Sequence, residues 1–174
     1  MRYQFLMVPA ALVTSMAVHA EDFMTVEKAQ QMIFPGATFT PADYTMSEAQ
    51  VDQLIKLTNA TVFRSRVKAW KVSTGGWFFL DQVPGRDDRI TYAIGINEDG
   101  SVASIEVLVC LPGYDGVRQQ NWRGQFSGKM NADGPNLINE ISNITGTTLS
   151  VEHIIEGVKR IMATHALYIV PKTG

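Results

Sequence analysis

Toward the C-terminal end of the chain, apolar residues fall at Val151, Ile154, Ile155, Val158, Ile161 and Met162, the spacing of one helix face. The run is preceded by Ile144-Thr145-Gly146-Thr147-Thr148-Leu149-Ser150, a glycine set among hydroxyl side chains. Ser150 reads as the N-cap of the helix that follows. The unpaired N–H groups and positive dipole end of that helix face back toward Thr145–Thr148, an environment that a phosphate group favours. Gly146 permits close approach of the backbone. On spacing alone, the same residues read equally well as a polar loop in front of a capped helix.

The mature N-terminal third shows two further helical patterns. Val26, Ala29, Met32 and Ile33 follow the cap candidate Thr25, and Pro35-Gly36 ends that piece. Ser47 and Gln50 have the spacing of a capping box, with Val51, Leu54, Ile55 and Leu57 on one face behind them. From Arg66 the period shortens to two, predicting strands at about 66–73, 76–83, 89–97 and 101–110. Asn97-Glu98-Asp99-Gly100 supplies a hairpin connection. A single α+β domain is expected, with an antiparallel sheet of about four or more strands and helices packed on one of its faces. Trp70, Trp77, Phe78, Phe79 and Tyr92 read as core and cross-strand packing. Leu111-Pro112-Gly113-Tyr114-Asp115-Gly116 breaks the sheet, and Val117–Phe126 reads as a short helix with Trp122 and Phe126 on one side.

Composition narrows the setting. Arg2 followed by the apolar run Phe5–Val13 and Val18-His19-Ala20 has the form of a secretory signal peptide, giving an expected exported mature chain 21–174, which the family resemblance described below places in the periplasm. The formal net charge is −2, and loss of Arg2 with the leader leaves −3, so no basic excess exists to hold nucleic acid. Cys110 is the single cysteine; it closes an alternating strand pattern and reads as a buried small hydrophobe. One cysteine also leaves no haem attachment motif and no framework for an iron–sulfur cluster.

Thr145-Gly146-Thr147-Thr148-Leu149-Ser150 resembles the Ser/Thr-Gly-Ala-Thr-x-Ser/Thr segment of the FMN-binding domain family. That family includes the periplasmic flavin subunits of sodium-pumping NADH:quinone oxidoreductase and of the Rnf complex, besides stand-alone FMN-binding proteins. The resemblance extends over about residues 90–162 and includes Gln125-Phe126-Ser127-Gly128-Lys129 after a Trp. It implies covalent FMN, joined as a phosphoester to Thr148 by a separate flavin transferase. Thr145, Gly146, Thr147, Leu149 and Ser150 would surround the cofactor, and Lys129 would place a point charge near the flavin or its phosphate. Two positions depart from the pattern: Thr147 stands where the family has Ala, and Ser142 where an Asp is frequent.

The function implied is an exported flavoprotein that relays electrons between membrane or periplasmic redox partners. A flavin-dependent reductase and a flavin-free anion-binding module are the alternatives. Motifs for a hydrolase, a zinc protease, a P-loop or a dinucleotide fold are missing from the sequence, and a flavin brings its own redox chemistry, so no catalytic residue is expected. Arg118 and Arg123 are weaker candidates for charges near the cofactor. His153 has no second ligand at metal spacing, and His165 reads as an exposed or dipole-compensating residue near the helix end.

Overall fold

The computed structural model describes residues 21–85, 88–110, 115–130 and 141–170. The expected leader, residues 111–114 of the expected break after the sheet, and residues 86–87, where the sequence Pro84-Gly85-Arg86-Asp87-Asp88 reads as a polar turn, lie outside the described residues. The four long strands form where alternation predicts them: β4 (Arg66–Val72), β5 (Trp77–Pro84), β6 (Arg89–Ile96) and β7 (Val102–Cys110) make an antiparallel meander. Three short strands that helix patterning does not reveal extend it, namely β1 (Glu21–Asp22), β2 (Phe39–Pro41) and β3 (Tyr44–Thr45). The order is β1-β7-β6-β5-β4-β2, with β3 also pairing β4. No amphipathic signal marks these pieces, because strands of two or three residues are too short to show a period.

Helix α1 (Val26–Ile33) is capped by Thr25, whose hydroxyl accepts from the Lys28 N–H. In α2 (Glu48–Thr58) the capping box of Ser47 and Gln50 is complete in both directions. Only Leu54 of the expected α2 stripe is fully buried; Ile55 and Leu57 are exposed. The region after β7 consists of a 3₁₀ turn (Asp115–Arg118), one helical turn α3 (Gln120–Arg123) and a second 3₁₀ turn (Gly124–Phe126), in place of one continuous helix. Trp122 and Phe126 do share a side, their rings meeting edge to face with centroids 5.2 Å apart.

The last helix, α4 (Thr148–Thr164), buries Val151, Ile154, Ile155, Val158, Ile161 and Met162, the full apolar face read from the spacing. It packs on the sheet face formed by Phe79, Tyr92, Ile94, Ile105 and Val107. Helices are not confined to that face. Phe78, Ala93 and Leu108, one residue out of phase, point the other way and are covered by Ala29 and Ile33 of α1.

Helices α1 and α4 each approach the sheet at a glycine. A Cβ on Gly95 would sit 2.3 Å from Ile33 Cγ2, and one on Gly157 would sit 2.5 Å from the Tyr92 hydroxyl oxygen and 2.7 Å from Val83 Cγ1. Residue types at both contacts are therefore set by close packing across layers.

Among the described residues, two ion pairs with largely buried arginines brace the core. Arg160 of α4 pairs with Asp81 and donates to the Thr61 carbonyl at 2.5 Å, and Tyr92 donates to the same Asp81 at 2.8 Å. Burial, and then the negative charge of Asp81, hold the Tyr92 phenol well above its usual range, so it acts as a neutral O–H donor. Arg123 pairs with buried Glu106. The π-helical turn His165–Ile169 follows α4. His165 is buried, with its ring edge-on to Trp77 and Phe79, rather than exposed near a helix end. Among the described residues, no helix is long and apolar enough to cross a membrane.

Candidate functional site

The Thr-Gly-Thr-Thr segment is held from behind by the turns that follow β7. Trp122 Nε1 donates to the Ser142 carbonyl at 2.9 Å, and the Ser142 N–H donates to Gln125 Oε1 at 2.8 Å. Both backbone groups of one loop residue are thus satisfied by side chains from α3 and the turn after it. A third contact comes from Gly116, where an added Cβ would lie 2.9 Å from Ile144 Cγ2 and 3.3 Å from Thr147 Oγ1. The glycine and the Trp and Gln of the family-like stretch therefore act on the loop's backbone position.

The chain then turns. The Thr147 N–H donates to the Ile144 carbonyl at 3.1 Å, closing a four-residue turn whose third member is Gly146 at φ +86°. An L-residue is strained there, and only glycine adopts that angle freely. No atom lies within 4 Å of the position a Gly146 Cβ would occupy, so backbone conformation and not crowding demands the glycine.

Helix α4 begins at Thr148, three residues earlier than a cap at Ser150 predicts. Its N-cap is Thr147 and not Ser150, and Thr147 makes no side-chain hydrogen bond to the first turn. Ser150 is instead buried inside that turn. The first-turn N–H groups and the positive dipole end accordingly face the 145–148 segment without a side-chain cap. Thr145, Gly146, Thr148 and Leu149 are exposed, while Thr147 and Ser150 are buried. Of the hydroxyls on the helix's own first turn, that of Thr148 alone is open to solvent.

Lys129 lies on a separate turn. Its carbonyl accepts from the Val102 N–H at 2.8 Å, and Gly128 N–H donates to the Val102 carbonyl at 2.8 Å, which sets the half-buried lysine beside the start of β7. Arg118 stacks on Phe23, its guanidinium carbon 3.4 Å from the ring centroid. Arg123 is a structural cation: besides Glu106 it donates to the carbonyls of Arg118 (2.8 Å) and Ile105 (2.9 Å) and to Gln120 Oε1 (3.0 Å). Cys110 is fully buried at the end of β7, as its strand position predicts. His153 Nδ1–H donates to the Pro84 carbonyl at 2.8 Å, tying the first turns of α4 to the end of β5.

Sequence reasoning missed the buried pairs Arg160–Asp81 and Arg123–Glu106. Each joins residues from separate elements, and no local spacing announces such a pairing.

No curated protein matches this chain. Residues 85–163, from the residue after β5 into the last turn of α4, match the family model described as the FMN-binding domain. That span contains the whole of the loop, the turns that clamp it and the helix that it opens. Residues 85–163 thus match an FMN-binding domain, and that match supports a flavin-binding protein.

Proposed function

We propose that the protein is exported to the periplasm, carries FMN as a phosphoester on Thr148, and passes electrons between a membrane oxidoreductase and a periplasmic acceptor. The observation that supports the attachment point most directly is the exposure of Thr148 at the first position of α4, with its neighbours Thr147 and Ser150 buried. A transferase must reach the hydroxyl that it modifies. The surroundings also fit a phosphate monoester: the helix start has no side-chain cap, and Gly146 leaves open space beside it.

When bound, the flavin supplies the redox chemistry. The chain's own part is attachment and orientation. The Thr148 oxygen forms the ester bond, the first-turn N–H groups stabilise the remaining phosphate oxygens, and Leu149, 53% exposed, offers an apolar surface to a ring. Trp122 and Gln125 keep the loop in place through Ser142.

The test is co-expression with a flavin transferase, followed by fluorescence in a denaturing gel and peptide mass. Alanine is substituted in turn at Thr145, Thr147, Thr148 and Ser150. Loss of in-gel fluorescence with Thr148→Ala, and its retention with Thr145→Ala, is the expected result. Flavin retained by Thr148→Ala would move the attachment point. A wild-type protein that never acquires flavin would favour noncovalent FMN, or an anion-binding module.

A further inference from the structure

The sheet splits between β4 and β5. Their ladder runs from Lys71↔Trp77 to Lys68↔Leu80 and stops there, while β5 stays paired with β6 as far as Pro84↔Arg89. The start of β4 turns instead to β3, through Val67↔Tyr44 and Arg66↔Thr45. In the gap lies a pocket of about 120 Å³, room for a few water-sized groups. Among its described lining residues are five cations and a single carboxylate, Asp81. Arg160 is matched by Asp81, and Arg66 by Asp43 at 2.8 Å. Arg64, Lys68 and Arg89 make no ion pair with any described residue. Three charges from three segments, unpaired among the described residues, therefore line one concavity, and its low-dielectric walls concentrate their field. The walls are apolar as well, with Val67, Leu80 and Ile161 among them.

We propose that this split is a binding site for a small organic oxyanion, a carboxylate or a phosphate monoester. Arg64, Lys68 and Arg89 hold its charged head, and its apolar body lies against Val67, Leu80 and Ile161. Arginine forks suit both head groups, since each presents paired oxygens. The site is distinct from the flavin attachment point: Arg160 lies twelve residues along α4 from Thr148, roughly 18 Å at 1.5 Å per residue. The proposal does not rest on the flavin reading.

The experiment is an amide NMR titration of the full chain at constant ionic strength with three probes: inorganic phosphate, butyrate and neutral butyramide. Phosphate and butyrate should move the signals of residues 64–68, 81–82 and 89–91 to saturation, and butyramide should not. Tighter binding of phosphate identifies a phosphate head group, and tighter binding of butyrate a carboxylate. The double variant R64Q/R89Q should weaken binding at least tenfold with its unfolding midpoint unchanged. Should that variant lose stability, K68Q gives the same reading, with an expected severalfold weakening. Shifts that never saturate, equal shifts with butyramide, unchanged affinity in the variants, or shifts confined to residues 145–151 would each overturn the proposal. The last of these would leave the helix-start site intact.

Discussion

Trp122 and Ser142 are twenty positions apart in the chain and joined by one 2.9 Å hydrogen bond from the indole N–H to the backbone carbonyl. The loop that leads into the Thr-Gly-Thr-Thr segment is anchored at this point, with Gln125 holding the N–H of the same residue. Trp122→Phe keeps the edge-to-face packing on Phe126 and removes only the donor. A stability loss of about 1 kcal/mol is expected, because a partly buried carbonyl is left without its partner. Flavin loading should fall by more than the fraction unfolded explains. Urea unfolding together with in-gel flavin fluorescence measures both, and equal loading at equal folding would show that the anchor does not position the loop.

Gly157 is the point where α4 meets the sheet. Alanine is the better helix former by about 1 kcal/mol, yet its methyl would overlap Tyr92 and Val83. Overpacking of this kind costs about 1–3 kcal/mol, so Gly157→Ala should be net destabilising. A thermal midpoint above that of the wild type would contradict the packing described.

Arg160 and Asp81 should be worth little as a pair and much when broken. Arg160→Met removes the cation that balances the Asp81 carboxylate, leaving it the Tyr92 hydroxyl as donor, and takes the donor from the Thr61 carbonyl, for an expected loss of about 3 kcal/mol, at the low end for buried pairs because Asp81 is partly exposed. Adding Asp81→Leu should restore part of that loss. A double-mutant cycle by urea denaturation gives the coupling, and additive effects would mean that the two side chains act independently.

His165 makes stability depend on pH. Burial pushes its imidazole down to about 4, whereas the unfolded chain binds the proton near pH 6.5. Between those values the unfolded state holds more protons, so stability rises with pH there. The contribution of the neutral buried ring is complete above about pH 6.5 and is lost as pH falls toward 4. His165→Leu should flatten the urea midpoint across this window, whatever it does to the midpoint at pH 7. An equally steep profile in the variant would assign the acid sensitivity elsewhere.

Much of this architecture was legible in local patterns. Alternation located β4–β7 to within about a residue, the spacing from Val151 to Met162 marked the buried face of α4, and Ser47 with Gln50 marked the start of α2. These succeed because strand and helix periods are properties of a few consecutive residues. The Thr-Gly-Thr-Thr segment was singled out by its resemblance to a contiguous family motif, spacing alone reading equally well as a polar loop, and its glycine stands at a backbone angle that favours glycine.

Only the tertiary structure decided the rest. Helices cover both sheet faces because neighbouring residues such as Phe78 and Phe79 point opposite ways and both need cover, which alternation with apolar residues at both phases does not assign to a partner. Thr147 caps α4, leaving Ser150 inside the first turn, because the helix start depends on where the Ile144–Thr147 turn closes and on Gly116 packing against it. His165 reads locally as an exposed or dipole-compensating residue near a helix end, and no local pattern singles out Arg160. Their burial, one against aromatic rings and the other against Asp81, follows from residues some eighty positions away, a distance over which local periodicity carries no information.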